Sequence, residues 1–396
     1  MTAFSNIDRA RAALQAWLID HAYPLWWSLG ADQQGGGFHE RLNQNGTPTH
    51  DARRSRLHPR QIYAFSLARD QGWEGPADTA VRHALTFYIR RYRRHDHLFS
   101  PLPSTDGANN EAPVVLYDQA FALLGLASAS TVLPDRSLCN QARQLLCAVR
   151  EQFGHTRGGF KETVTGSSPL LSNSHMHLLE AALAWMEHDS SGAWHELAGD
   201  LVKLAAARFI DQSTGFLLEF FDADWRPIAD PSRQRVEPGH QFEWAWLLLR
   251  WSIHSGDANC RALALWLIRL AETHGVDNRR HVAVNALARD GTLLDANARL
   301  WPQTERLKAS ALAAELTHDK TWWSAAREAA DALARYCDVP LRGLWRDTLT
   351  TAGEFVDEPA PASSMYHIVG AIAQLDRSVR RGAQIPTLAV DNPLPI

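Results

Sequence analysis

Apolar residues recur at three- and four-residue spacing through most of the chain, the period of amphipathic helices, and no stretch alternates long enough to argue for a large sheet. The spacing predicts twelve helices, near 7–28, 56–72, 77–94, 115–131, 136–153, 174–189, 194–210, 240–254, 259–274, 303–316, 320–337 and 364–376. A turn of small glycines followed by a large apolar residue recurs between them, at Gly35-Gly36-Gly37-Phe38, Gly158-Gly159-Phe160, Thr214-Gly215-Phe216 and Arg342-Gly343-Leu344-Trp345. His97-Leu98-Phe99 and the segment 283–294 fill the gaps in the series. The interval is about sixty residues, which fits two helices plus two loops. Six such pairs can close into a ring whose inner helices line a cavity and whose outer helices cover them. The expectation is all-α, an (α/α)6 barrel, rather than an open solenoid with exposed end faces. No linker rich in Pro, Gly or Ser divides the chain, so residues 1–396 are read as a single catalytic domain.

Composition narrows the partners. The 396 residues are 45% hydrophobic and 21% charged, as in a well-cored globular protein. A formal net charge of −4 gives no electrostatic reason for a nucleic-acid or anionic-membrane partner. The basic run Arg90-Arg91-Tyr92-Arg93-Arg94 closes an apolar-periodic helix, where cations suit the dipole, and reads as a solvated helix end. Cys139, Cys147, Cys260 and Cys337 are scattered without a C-x-x-C pair, which fits buried thiols in a reducing compartment. No signal-peptide pattern and no apolar run of membrane-spanning length is visible, so the expected location is cytoplasmic, with a monomer or homodimer allowed. Fifteen tryptophans could serve a large core or stack on sugar rings.

If helices 56–72, 115–131, 174–189, 240–254, 303–316 and 364–376 are the inner ones, their first turns meet at one end of the cavity. The polar residues in or beside those turns are Arg60, Asp118, Asn173, His177, His240, Glu243, Glu305 and His367. Helix starts favour Ser, Thr, Asp and Asn as caps and disfavour cations. Arg60, His177, His240 and His367 at such positions therefore point to a chemical use. Pro238-Gly239 opens the helix that carries His240, and Glu243 three residues on is expected on the same face, to orient or charge the imidazole.

Two histidines facing one another can move protons at neutral pH, and an arginine beside them can stabilise an oxyanion without losing its own proton. Those parts suit removal of a proton alpha to a carbonyl through an enediolate, the chemistry of aldose–ketose isomerases and 2-epimerases. His175-Met176-His177 has a metal-ligand spacing, but residues two apart on a helix point to different sides, and no metal or cofactor is expected. Glycoside hydrolysis needs two flanking carboxylates, and Glu243, Glu305 and Asp118 leave it open. A sugar-sensing protein with the same cavity is the non-enzymatic alternative.

Five segments in order resemble the N-acylglucosamine 2-epimerase superfamily: Arg60-Gln61-Ile62-Tyr63-Ala64-Phe65, the run Asn173 to Glu180, the run Pro238 to Trp244, the run Arg299 to Glu305, and Met365-Tyr366-His367-Ile368. Gln241-Phe242-Glu243-Trp244 and Tyr366-His367 look most like its D-mannose isomerase branch. The resemblance implies an (α/α)6 barrel without cofactor or metal that interconverts D-mannose and D-fructose, a monosaccharide being the partner. It implies His367 as the shuttle between C2 and C1 and His240 as the group serving ring opening and the sugar oxygens, held by Glu243. Arg60 would stabilise the enediolate, with Asn173, His177, Trp301, Glu305 and Asp118 at the hydroxyls. The family often has an aromatic residue where this chain has Arg56; that arginine is expected at the solvent, or else as a sign of an anionic sugar.

Overall fold

A computed structural model describes residues 3–103, 113–166, 169–230 and 233–383. Among the described residues twelve helices alternate between two layers. The outer layer holds α1, Ala3–Trp17, continued through wide turns to Gly30, then α3, Ala77–Tyr92, α5, Ser137–Phe153, α7, Ala193–Leu204, α9, Ala258–Gly275, and α11, Lys320–Tyr336. The inner layer holds α2, Leu57–Ser66, α4, Leu116–Val132, α6, Ser172–Trp185, α8, Pro238–Ser255, α10, Leu300–Thr317, and α12, Ser364–Ala383. Each inner helix packs on the next, and α12 closes the ring against α2. The expected (α/α)6 toroid is the fold. Among the described residues no helix is long and apolar enough to cross a membrane.

The inner helices are buried nearly all round, as α4 shows with Leu116, Phe121, Leu123 and Leu126 all in the core. The outer helices are one-sided, apolar inward and charged outward. Two bounds depart from the sequence reading. Helix α2 stops at Ser66 instead of 72, because Leu67–Gly72 turns back and Trp73 donates its backbone N–H to Ala68. Helix α12 runs past 376, since Leu375 and Val379 still face the core while Asp376 and Arg381 pair with Arg11 and Glu315.

The recurrent turns have a physical cause. Five of them, all but the turn at 342–345, are clamped by a polar side chain from the first turns of the next inner helix. The backbone N–H groups of Phe38 and Phe160 donate to His58 Nε2 and His175 Nε2 at 3.2 and 2.9 Å. Those of Phe99, Leu217 and Ala283 donate to the amide oxygens of Gln119, Gln241 and Gln303 at 2.8, 2.9 and 2.7 Å. Glycine is required where histidine is the clamp. Gly37 and Gly159 have φ of +71° and +70°, and a Cβ there would come within 2.4 and 2.9 Å of the two imidazoles.

Short antiparallel pairings tie the loops that enter the inner helices. Arg41–Leu42 pairs with Ala360–Pro361, Leu170–Leu171 with Phe220–Phe221, Arg235–Val236 with Leu287–Ala288, and Ala298–Arg299 with Thr348–Leu349. They stiffen the end of the barrel at which the inner helices begin.

Candidate active site

Two residues beyond each clamp, the next side chain on the inner helix turns into the barrel. This places Arg60, His177, Glu243 and Glu305 after His58, His175, Gln241 and Gln303. A cavity of about 490 Å³ opens above them, lined by Arg60, Asn173, His177, His240, Glu243, Trp301 and His367, with a rim that includes Arg41, Arg54 and Arg56.

Trp301 packs against both histidines, its ring centre 5.0 Å from that of His240 and 5.8 Å from that of His367. Gly239 makes room for it, since a Cβ there would come within 2.4 Å of the indole. Both imidazoles have Nδ1 engaged, which leaves Nε2 for the cavity. His240 Nδ1 lies 3.0 Å from Glu219 and 3.7 Å from Glu237. His367 Nδ1 lies 2.7 Å from Glu305, whose other oxygen is 2.6 Å from Lys308 Nζ.

The electrostatics separate the pair. Burial disfavours the charged form of His240, but the Glu219 and Glu237 carboxylates outweigh it and push the pKa up to about 10. Burial also disfavours a charged His367, and there Arg60, Lys308 and His177 add to the effect, so its pKa falls well below the ordinary 6.5. His240 is thus a cation and His367 a neutral base at pH 7.

Beneath the cavity is a charged cluster. Lys308, fully buried, stays protonated because Glu305, Glu243 and Glu180 outweigh its desolvation. Its ammonium sits 4.0 Å over the Trp246 ring. His177 is neutral, held near pKa 4 by burial, with Nδ1 3.2 Å from Glu180 and its ring edge-on to Tyr117. Tyr366 donates its hydroxyl to Glu180. Burial and the nearby Glu305 carboxylate raise the pKa of Glu243 far above the carboxylate range.

Ligand atoms of His177, Glu180 and Glu243, and of Glu243, Glu305 and His367, lie within 4.8 Å of one another and could hold an ion. Lys308 already supplies a cation to the same carboxylates. His175 is not part of either set: Nδ1 is 2.7 Å from the Leu171 carbonyl, and Nε2 clamps Phe160. The H-x-H spacing is therefore a structural histidine beside a cavity histidine.

Most expected site residues line this cavity; Glu305 and Asp118 lie behind it, and Glu243 lines it with a different partner from the one expected. Glu243 does not hold His240. Three residues along a helix bring it one turn deeper, 3.9 Å from His177, and the carboxylates against His240 come instead from the loop at Glu219 and from Glu237. Glu305 is wholly buried behind His367, out of reach of a hydroxyl. Asp118 is likewise buried, 3.6 Å behind Arg56. Arg56, expected at the solvent, lines the cavity with its guanidinium 5.4 Å from the Tyr117 ring centre. The core absorbs Trp26, Trp185, Trp194, Trp225, Trp244 and Trp345, and Trp301 is the tryptophan lining this cavity.

Arg60 completes the set. Its Nη2 donates to the Tyr117 hydroxyl at 2.8 Å, and its guanidinium lies 4.2 Å from the Phe121 ring centre. Its Nε and the Asn173 Oδ1 are buried without a protein partner, which marks both as groups for a ligand.

Residues 36–371 match the N-acylglucosamine 2-epimerase (GlcNAc 2-epimerase) family model. A mannose-6-phosphate isomerase of Rhizobium meliloti (strain 1021) is 43% identical over 383 residues, 95% of this chain and 99% of that protein. A D-mannose isomerase of Thermobifida fusca is 27% identical, over 86% of this chain and 88% of that protein. Among solved structures, a crystal structure of D-mannose isomerase superposes with a TM-score of 0.84 at 21% identity, over 92% of this chain and 97% of that one. With the fold and the family model in agreement over most of its length, the chain belongs to the N-acylglucosamine 2-epimerase family.

Proposed function

We propose that the protein is an aldose–ketose isomerase that interconverts a mannose-type aldose and its fructose-type ketose through a cis-enediolate. The observation that carries this reading is a pair of histidines against Trp301, each with Nδ1 held by a carboxylate and Nε2 left for substrate, one cationic and one neutral. His367 Nε2, neutral, removes the proton from C2 and returns it to C1 on the same face. Its Nδ1–H stays on Glu305, which fixes the tautomer. His240, cationic, donates from Nε2 to O1 as the carbonyl becomes an enediol and takes the proton from O2 as the ketose carbonyl forms. Arg60 faces the oxygen on which negative charge grows. Asn173, His177 and Trp301 hold the rest of the open chain, while Glu243 works indirectly, against His177. General acid–base transfer of this kind is worth about 10²–10⁴-fold.

The sugars in the names of the two relatives, mannose 6-phosphate and D-mannose, share the carbons at which this chemistry occurs. The test is a proton NMR time course in D2O with purified protein and each sugar, with and without EDTA. Fructose or fructose 6-phosphate formed with deuterium incorporated at C1, and formed equally in EDTA, is the expected result. A glucose-type product carrying deuterium at C2 would make the protein a 2-epimerase instead.

A further inference from the structure

We infer that the mouth of this cavity carries a phosphate-binding subsite built on Arg56, with Arg54 and Arg41 beside it, which selects a sugar phosphorylated at the end remote from the reacting carbons. The inference rests on the isomerase reading for the direction in which the sugar lies. Arg56 and Arg60 are four residues apart, on one face of the start of α2 and one helical turn, about 5.4 Å, from each other. They share the Tyr117 ring, at 5.4 and 6.0 Å from its centre. Arg60 is the deeper of the two and acts on His367. A hexose with its C1–C2 end at Arg60 therefore extends its C6 end one turn outward, to Arg56.

The groups there suit a dianion better than a hydroxyl. Arg56 has five N–H donors, and its approach to Asp118 is a loose 3.6 Å. Arg41 holds a loose ion pair through Nε with the half-exposed Asp51 at 3.4 Å, and its side chain lines the cavity mouth beside Arg56. Arg54 is fixed by Glu40, which also accepts from the Arg54 backbone N–H at 3.0 Å, so its guanidinium adds charge without freedom. Arg41 is itself set by the pairing of Arg41–Leu42 with Ala360–Pro361 across the barrel end. Among the acids lining the cavity, Glu237 and Asp347 are engaged by Arg235 and Arg299, and Glu358 remains. Planar guanidinium groups binding oxygens pairwise are the usual protein answer to a phosphate monoester.

The experiment compares kcat/KM for mannose 6-phosphate and for free mannose in the unmodified enzyme and in Arg56→Gln and Arg56→Lys, and follows inorganic phosphate binding by calorimetry in all three. The unmodified enzyme should prefer the phosphorylated sugar. Arg56→Gln should cut that preference by about 10- to 100-fold, the loss expected for hydrogen bonds to a charged group, with the change mainly in KM, and should weaken phosphate binding. Arg56→Lys should recover part of both and guards against a variant that does not fold. Equal turnover of the two sugars by the unmodified enzyme, or phosphate binding untouched in Arg56→Gln, would overturn the subsite. Failure to turn over either sugar would remove the isomerase reading, while phosphate binding would still decide the subsite.

Discussion

His240 and His367 both lie against one indole, each with Nδ1 against a carboxylate, yet one is charged and the other neutral. The difference lies in what stands behind the carboxylate. Glu219 has a free oxygen and a second acid, Glu237, close by, so its charge falls on His240. Glu305 spends its charge on Lys308, and Arg60 adds a further positive field at His367. A carboxylate beside a histidine therefore does not decide its protonation state; the next shell of charges does.

The comparison can be broken most severely at the base. Replacing His367 by Asn should reduce kcat by 10³-fold or more, on the order of a full general-base contribution, and abolish exchange of the C2 proton with solvent, read by NMR in D2O. Removing Lys308 comes next. Lys308→Met leaves Glu305 and its neighbours without their counter-charge, at about 3–5 kcal/mol of stability for a broken buried pair. Thermal unfolding should register this, and in the protein that remains folded the His367 pKa should rise.

The acid side sharpens the contrast through pH. The reaction needs His367 neutral and His240 protonated. kcat/KM should therefore rise as pH climbs through the depressed pKa of His367, stay level across neutrality, and fall as pH passes about 10, where His240 loses its proton. Glu219→Gln removes the larger of the two stabilising charges, so the alkaline limb should move down toward the ordinary histidine value near 6.5 while the acid limb stays in place. A profile whose two limbs move together would contradict separate control.

The smallest effect belongs to the clamps. His175→Gln should leave the unfolding temperature nearly unchanged, because glutamine does the same work at 119, 241 and 303. His175→Ala, which orphans the buried Phe160 N–H, should cost about 1–3 kcal/mol.

The ring of helices was legible because both signals that encode it are local: a 3.6-residue period within each helix and a sixty-residue recurrence of turns. The cavity residues on the inner helices, from Arg60 to His367, followed from the same count. The clamp rule, a His or Gln two residues before the inward side chain, was present in the sequence at 58, 175, 241 and 303 and would have separated His175 from His177. Glu219 was not legible. It reaches His240 from a loop twenty-one residues upstream, and only the pairing of Leu170–Leu171 with Phe220–Phe221 fixes where that loop lies. Spacing along one helix pointed to Glu243 because i,i+3 places side chains on one face without saying how deep each one reaches. Arg56 was misjudged for a related reason: a helix start at the rim of a ring faces the cavity mouth as readily as bulk water.

The division of charge is tested most directly by a nitrogen-15 NMR titration of the imidazoles in the substrate-free protein, with His240 and His367 assigned by substitution. The account predicts His367 neutral at pH 7, protonated at Nδ1 and titrating well below 6.5, with His240 a doubly protonated imidazolium until about pH 10. Two histidines titrating together near 6.5, or with the order reversed, would contradict it.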